Sequence, residues 1–114
     1  LVLDEPTSFL DPKSAKSILE TIARLNEELG VTIILVEHRL DLASRLADRV
    51  LIMNEGRLVL DGEPRRIFGK AAHLLGVGLP KVTLLFQMLR EDGLDVGTPI
   101  TVEEASAILR GLLD

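Results

Sequence analysis

The chain has 114 residues, 46% of them hydrophobic and 27% charged, and 13 Lys and Arg against 18 Asp and Glu leave a net charge of −5. These are the proportions of an ordinary soluble globular protein, one domain or part of a larger one, able to bury roughly two-thirds of its unfolded surface. Nucleic-acid binding needs cationic patches and usually aromatic platforms; an acidic chain with no basic cluster, no Trp and no Tyr sets that partner aside.

The first element is apolar, "LVL" at residues 1–3, a strand or the end of one, and it runs into Asp4 and Glu5. Because Leu1 already lies inside this strand, the chain is expected to be the back half of something longer. Asp11 followed by Pro12 signals a helix start, an acid at the N-cap and proline in the first turn. Ala15, Ile18, Leu19, Ile22, Leu25 and Leu29 then recur at helical spacing, and Gly30 supplies the stop. "VTIILVEH" follows, a β-branched run of the kind buried on both faces of a parallel sheet. "VTIILV" is too short to cross a bilayer, and no signal peptide leads the chain.

A short helix carries Leu42, Ala43, Leu46 and Ala47. "RVLIM" and "RLVLDG" flank "NEG", a hairpin in which Gly56 takes the position needing positive φ. Pro64 opens a short helix through Phe68, and the glycine-rich "GKAAHLLGVGLP" reads as a linker, with His73 solvated in it. After Pro80 a helix places Val82, Leu85, Phe86 and Leu89 on one side. A last helix opens with a capping box, Thr101 with Glu104, and carries Val102, Ala105, Ile108, Leu109 and Leu112 as an apolar stripe. The fold class expected is α/β, a parallel sheet with flanking helices plus a C-terminal helical extension. Its divisions are residues 1–69, a linker at 70–80, and the extension at 81–114.

A strand, a crossover helix and a second strand in one sheet run parallel, so their C-terminal ends share an edge. Asp4 and Glu5 are thereby expected beside Glu37 and His38, on the edge where open α/β sheets bind ligands. Two separate polar pairs become one candidate site. The chain has no Cys, so a thiolate metal site or disulfide is excluded, which suits a cytoplasmic protein.

An apolar strand ending in Asp-Glu is the Walker B arrangement, in which the Asp helps hold Mg²⁺ and a neighbour orients the attacking water. "LDEPTSFLDP" strongly resembles the Walker B and D-loop of ABC-transporter ATPases, a partial P-loop NTPase of the RecA-like kind. The resemblance implies that Asp4 holds Mg²⁺ through its water shell, that Glu5 is the general base, and that Ser8 and Asp11 form the D-loop facing the partner ATPase across a nucleotide sandwich. Phe9 stands where alanine is common. His38 looks like the switch histidine that reaches the γ-phosphate, an imidazole able to take either charge state near neutral pH. Glu37 reads as a local polar neighbour. The segments "VEHRLDLASRLADRVLIMNEGRLVLDGEPRRIF" and "GLPKVTLLFQMLREDGLDVGTPITVEEASAIL" resemble importer ATPases, the latter the energy-coupling-factor group that drives uptake of cobalt, nickel and vitamins.

That resemblance implies ATP and Mg²⁺ as cofactors, a second ATPase subunit and membrane-embedded transporter subunits as partners, and a place on the inner face of the cell membrane. The tail is expected where two ATPase subunits meet, or else over an apolar face of its own domain. The "GxxxxGK[ST]" phosphate loop, the "LSGGQ" signature, the glutamine loop and an adenine-stacking aromatic are absent from the sequence; in the family they lie upstream of Walker B. Two readings follow: the C-terminal part of an importer ATPase, inactive by itself, or a non-catalytic assembly module. A chromosome-maintenance ABC-type ATPase fits the acidic charge and import-type tail poorly.

Overall fold

The computed structural model describes residues 1–71 and 78–114; His73 and most of the expected linker at 70–80 lie outside the described residues. The described chain divides into two compact units, Leu1–Leu46 and Ala47–Asp114.

In the first unit, β1 (Val2–Asp4) pairs in parallel with β2 (Ile34–Val36), in the register Val2↔Ile34, Leu3↔Leu35, Asp4↔Val36. The crossover between them is α1 (Pro12–Leu29). Asp11 caps it in extended conformation, accepting from the Ser14 N–H at 2.9 Å and the Ser14 hydroxyl at 2.7 Å. Gly30 ends it at φ 65°, the left-handed conformation that a side chain disfavours. The short helix α2 (Leu40–Leu46) follows β2.

Burial in this unit is narrower than the pattern of apolar residues. Ala15 and Leu19 are buried, whereas Ile18, Leu25 and Leu29, which recur at helical spacing on α1, are exposed. β2 is not buried on both faces either: Leu3 and Leu35 are half-buried, while Val2, Ile34 and Val36 on the opposite face are exposed. Periodicity marks which residues can be buried together, and only an apposed surface buries them.

In the second unit, β3 (Val50–Asn54) and β4 (Arg57–Gly62) form an antiparallel hairpin. Glu55 and Gly56 both take positive φ, 51° and 73°, as a two-residue turn matched to the strands' twist requires. The register shifts between Ile52 and Met53. Arg49 grips Asp61 through two bonds of 2.6 and 2.5 Å. Pro64 opens α3 (Pro64–Arg66), but residues Ile67–Ala71 widen into a π-helical turn where a plain helix through Phe68 was expected. Ile67 and Phe68 are buried in it.

The tail holds α4 (Lys81–Glu91) and α5 (Val102–Leu113). Phe86 is buried and Val82 and Leu89 half-buried as expected, but Leu85 is exposed and Thr83 is buried instead. The Thr83 hydroxyl donates to the Pro99 carbonyl at 2.7 Å, which satisfies it there. At α5 the Glu104 N–H donates to the Thr101 hydroxyl at 3.2 Å, the first arm of the capping box. The return arm lands one residue early, the Glu104 carboxylate accepting from Ile100 N–H at 3.0 Å. That carboxylate also takes two bonds from Arg65, at 2.6 and 3.2 Å. Ala105 is buried, but Val102, Leu109 and Leu112 are exposed.

Candidate functional site

The parallel ladder continues one rung past β1, the Glu5 N–H donating to Val36 O at 2.8 Å. There the backbone swings out: Glu5 has φ 48°, a left-handed conformation that is uncommon for a residue with a side chain. Two turn bonds, Ser8 N–H to Glu5 O at 3.2 Å and Leu10 N–H to Thr7 O at 3.1 Å, fold the following segment back on itself. β2 ends at Val36, and Glu37, His38 and Arg39 leave from the same edge.

The two strand ends meet. His38 Nε2 lies 2.5 Å from Glu5 Oε1, with the imidazole 80% and the carboxylate side chain 41% exposed. An ionised carboxylate only accepts, so with Glu5 charged the contact places a proton on Nε2 of His38. The short pair is therefore a donor and an acceptor held together at an open rim, reachable from solvent.

Three successive residues after β2 reach across to the segment after β1. Beside the Glu5–His38 pair, the buried Thr7 hydroxyl donates to Glu37 Oε2 at 2.7 Å. Arg39 Nη2 donates to the Leu10 carbonyl at 2.5 Å. The other oxygen of Glu37 accepts from the backbone N–H groups of His38 and Arg39, at 3.0 and 3.2 Å.

Asp4 is exposed at the end of β1, and Ser8 is exposed in the turn. Among the described residues no group of three or more His, Cys, Asp or Glu side chains converges to cage a metal. A single exposed carboxylate suits Mg²⁺, which keeps several waters and takes one or two carboxylates alongside substrate phosphates. Asp11 is held at the start of α1, where the Ser14 N–H, then the Ser14 hydroxyl, hold its carboxyl below the ordinary aspartate value. Phe9 is fully exposed. Two depressions on this unit are lined by α1 and α2 residues, including Glu20 and Leu46, and neither is lined by Glu5 or His38.

Sequence reasoning brings Glu5 and His38 together and has Glu37 as a local polar neighbour, which its bonds to the N–H groups of His38 and Arg39 fit; Thr7 and Arg39 go unmarked. A signal existed for Glu37. In a parallel pair the segments leaving both strand ends lie at one edge, so a carboxylate just beyond β2 falls near the turn beyond β1.

Comparison with known proteins bears on what this edge belongs to. No protein-family model matches the chain. An energy-coupling factor transporter ATP-binding protein of Clostridium tetani is 45% identical over 108 residues, covering 92% of this chain and 38% of that protein. A second, from Caldanaerobacter subterraneus subsp. tengcongensis, is 43% identical over 107 residues, covering 91% of the chain and again 38% of the relative. The chain therefore spans little more than a third of the length of these curated relatives. The solved structure of cbiO1 from Clostridium perfringens, part of the ABC transporter complex cbiONQ, matches with a TM-score of 0.57 and 35% identity, over 78% of this chain and 34% of that one.

Fold and site together define the class: an α/β protein of the P-loop NTPase fold, with its polar site at the C-terminal edge of a parallel sheet. Within that class the chain belongs with the ABC-transporter ATP-binding proteins, and it is most like their energy-coupling-factor group.

Proposed function

We propose that the chain is the C-terminal part of the ATP-hydrolysing subunit of an ABC-type importer, the part that carries the Walker B acids and the switch histidine. The observation that carries this reading is the 2.5 Å contact of Glu5 with His38 at the shared end of two parallel strands. Glu5 accepts a proton from the attacking water. His38, whose Nε2–H meets Glu5 Oε1 in this structure, would turn that donor to the γ-phosphate when nucleotide is bound, leaving Glu5 to take the water's proton. Asp4 would be the carboxylate that holds Mg²⁺, and the ion when bound would supply charge neutralisation at the phosphate oxygens. Ser8 and Asp11 lie on the D-loop side, toward the second ATPase subunit.

The phosphates and adenine are held by polypeptide outside these residues, in keeping with the chain spanning 38% of its relatives. The energised process is uptake of a cation or vitamin through membrane-embedded partner subunits, with the ATPase bound peripherally at the inner face of the membrane. Glu5→Gln in the complete subunit is expected to slow MgATP hydrolysis roughly 10²–10⁴-fold while MgATP still binds, the range for a positioned acid–base group. Phosphate release at the unsubstituted rate removes Glu5 from its role.

A second reading is an assembly module. Leu84, Leu85, Met88, Val102, Leu109 and Leu112 on the tail helices are exposed, more apolar surface than solvent favours. Charged substitutions at Leu85 and Leu109 that leave subunit association intact, measured by sedimentation, count against it.

A further inference from the structure

We infer that Glu37 is a positioning residue for hydrolysis, clamped by Thr7 so that His38 is presented to Glu5. The inference rests on the hydrolytic reading above and deepens it.

The clamp is built from one carboxylate used in two directions. Glu37 Oε2 accepts from the Thr7 hydroxyl at 2.7 Å, and Glu37 Oε1 accepts from the N–H groups of His38 and Arg39 at 3.0 and 3.2 Å. Thr7 is wholly buried, so its hydroxyl depends on that partner, and a buried donor left unmade is costly. Bonds from a carboxylate to successive backbone N–H groups fix the peptide planes on both sides of the His38 Cα, and with them the direction in which the imidazole leaves the chain. The acceptor itself is fixed from the far side of the gap by Thr7, two residues after Glu5. The acid and the imidazole are thus referred to one common anchor. Arg39 adds a second stitch across the same gap, to the Leu10 carbonyl. A carboxylate that merely satisfied the N–H groups ahead of α2 needs no bond to Thr7.

A positioning role is distinguishable from a structural one by what it depends on. In the complete subunit, Glu37→Ala and Thr7→Val are each expected to lower kcat for MgATP about tenfold to a hundredfold with KM unchanged, the scale of a small misplacement of a reacting group. Thr7→Ser, which keeps the donor, recovers most of that loss. Neither Glu37→Ala nor Thr7→Val lowers the rate further once His38→Ala is present. Unchanged kcat in the single variants, or a full additional loss on top of His38→Ala, overturns the clamp. Ring-nitrogen NMR of His38 tests it without turnover: the unsubstituted protein shows one Nε2–H tautomer, and Glu37→Ala admits the Nδ1–H form. A tautomer population indifferent to Glu37 overturns the clamp even where MgATP hydrolysis is absent, and absent hydrolysis with a Glu37-dependent tautomer rejects only the hydrolytic reading.

Discussion

Glu5 occupies left-handed backbone, φ 48°, directly after a strand. A side chain in that conformation costs on the order of 1–2 kcal/mol, and such strain persists only where the surroundings impose it. Here the ladder bond from Glu5 N–H to Val36 O and the turn bond to Glu5 O from Ser8 N–H impose it, and the result is a carboxylate delivered to His38. Among variants that remove the acid, Glu5→Gly is therefore expected to be more stable than Glu5→Ala by about 1 kcal/mol in denaturant unfolding. The reverse order contradicts the strain. No pattern in the sequence announces a positive φ at a glutamate. The acid pair was legible as chemistry, but its backbone was set by hydrogen bonds to another strand.

At the scale of elements, ends were more legible than faces. Asp11, Pro12 and Gly30 mark the limits of α1 because caps are local chemistry, and the structure uses each as its type dictates. "NEG" likewise gives the hairpin turn. The helical spacing on α1 gives the helix but not its buried face, since Ile18, Leu25 and Leu29 need an apposed surface and in this unit Ala15 and Leu19 receive it. The π-helical turn at Ile67–Ala71 and the buried Thr83 follow from packing in the second unit, which no local pattern encodes. Leu19→Ala is expected to cost about 2–5 kcal/mol, the range for truncating a buried leucine, and Leu29→Ala much less; thermal melts distinguish the two.

The second unit carries its own pH dependence. The side-chain bonds from Arg65 hold Glu104 below its ordinary value of 4.5, and those from Arg49 hold Asp61 below 3.8. A carboxyl depressed by folding stabilises the fold fully above its unfolded value and loses that contribution as pH falls through the folded one. Acid titration is thus expected to weaken this unit from about pH 4.5 downward. Glu104→Gln flattens that part of the profile, and an unaltered midpoint shift between pH 6 and pH 3 speaks against the Arg65 pair.

For the whole molecule, the exposed apolar atoms say as much as the core. Val2, Ile34 and Val36 line one face of a two-stranded sheet whose opposite face is half-buried. A small sheet with an open edge invites pairing with another chain. The 114 residues by themselves are expected to self-associate in light scattering, and a clean monomer weighs against that. They are also expected to bind no MgATP, because the sequence lacks a phosphate loop; a micromolar dissociation constant by calorimetric titration contradicts this.

Glu5 and His38 are proposed to act as one unit, and a double-mutant cycle on turnover tests that most directly. In the complete subunit, Glu5→Gln, His38→Ala and the pair together are compared for kcat with MgATP. Groups that act jointly are strongly non-additive, so the double variant is expected to be no slower than the slower single one. Losses that multiply, each substitution costing as much in the presence of the other as in its absence, contradict a shared site.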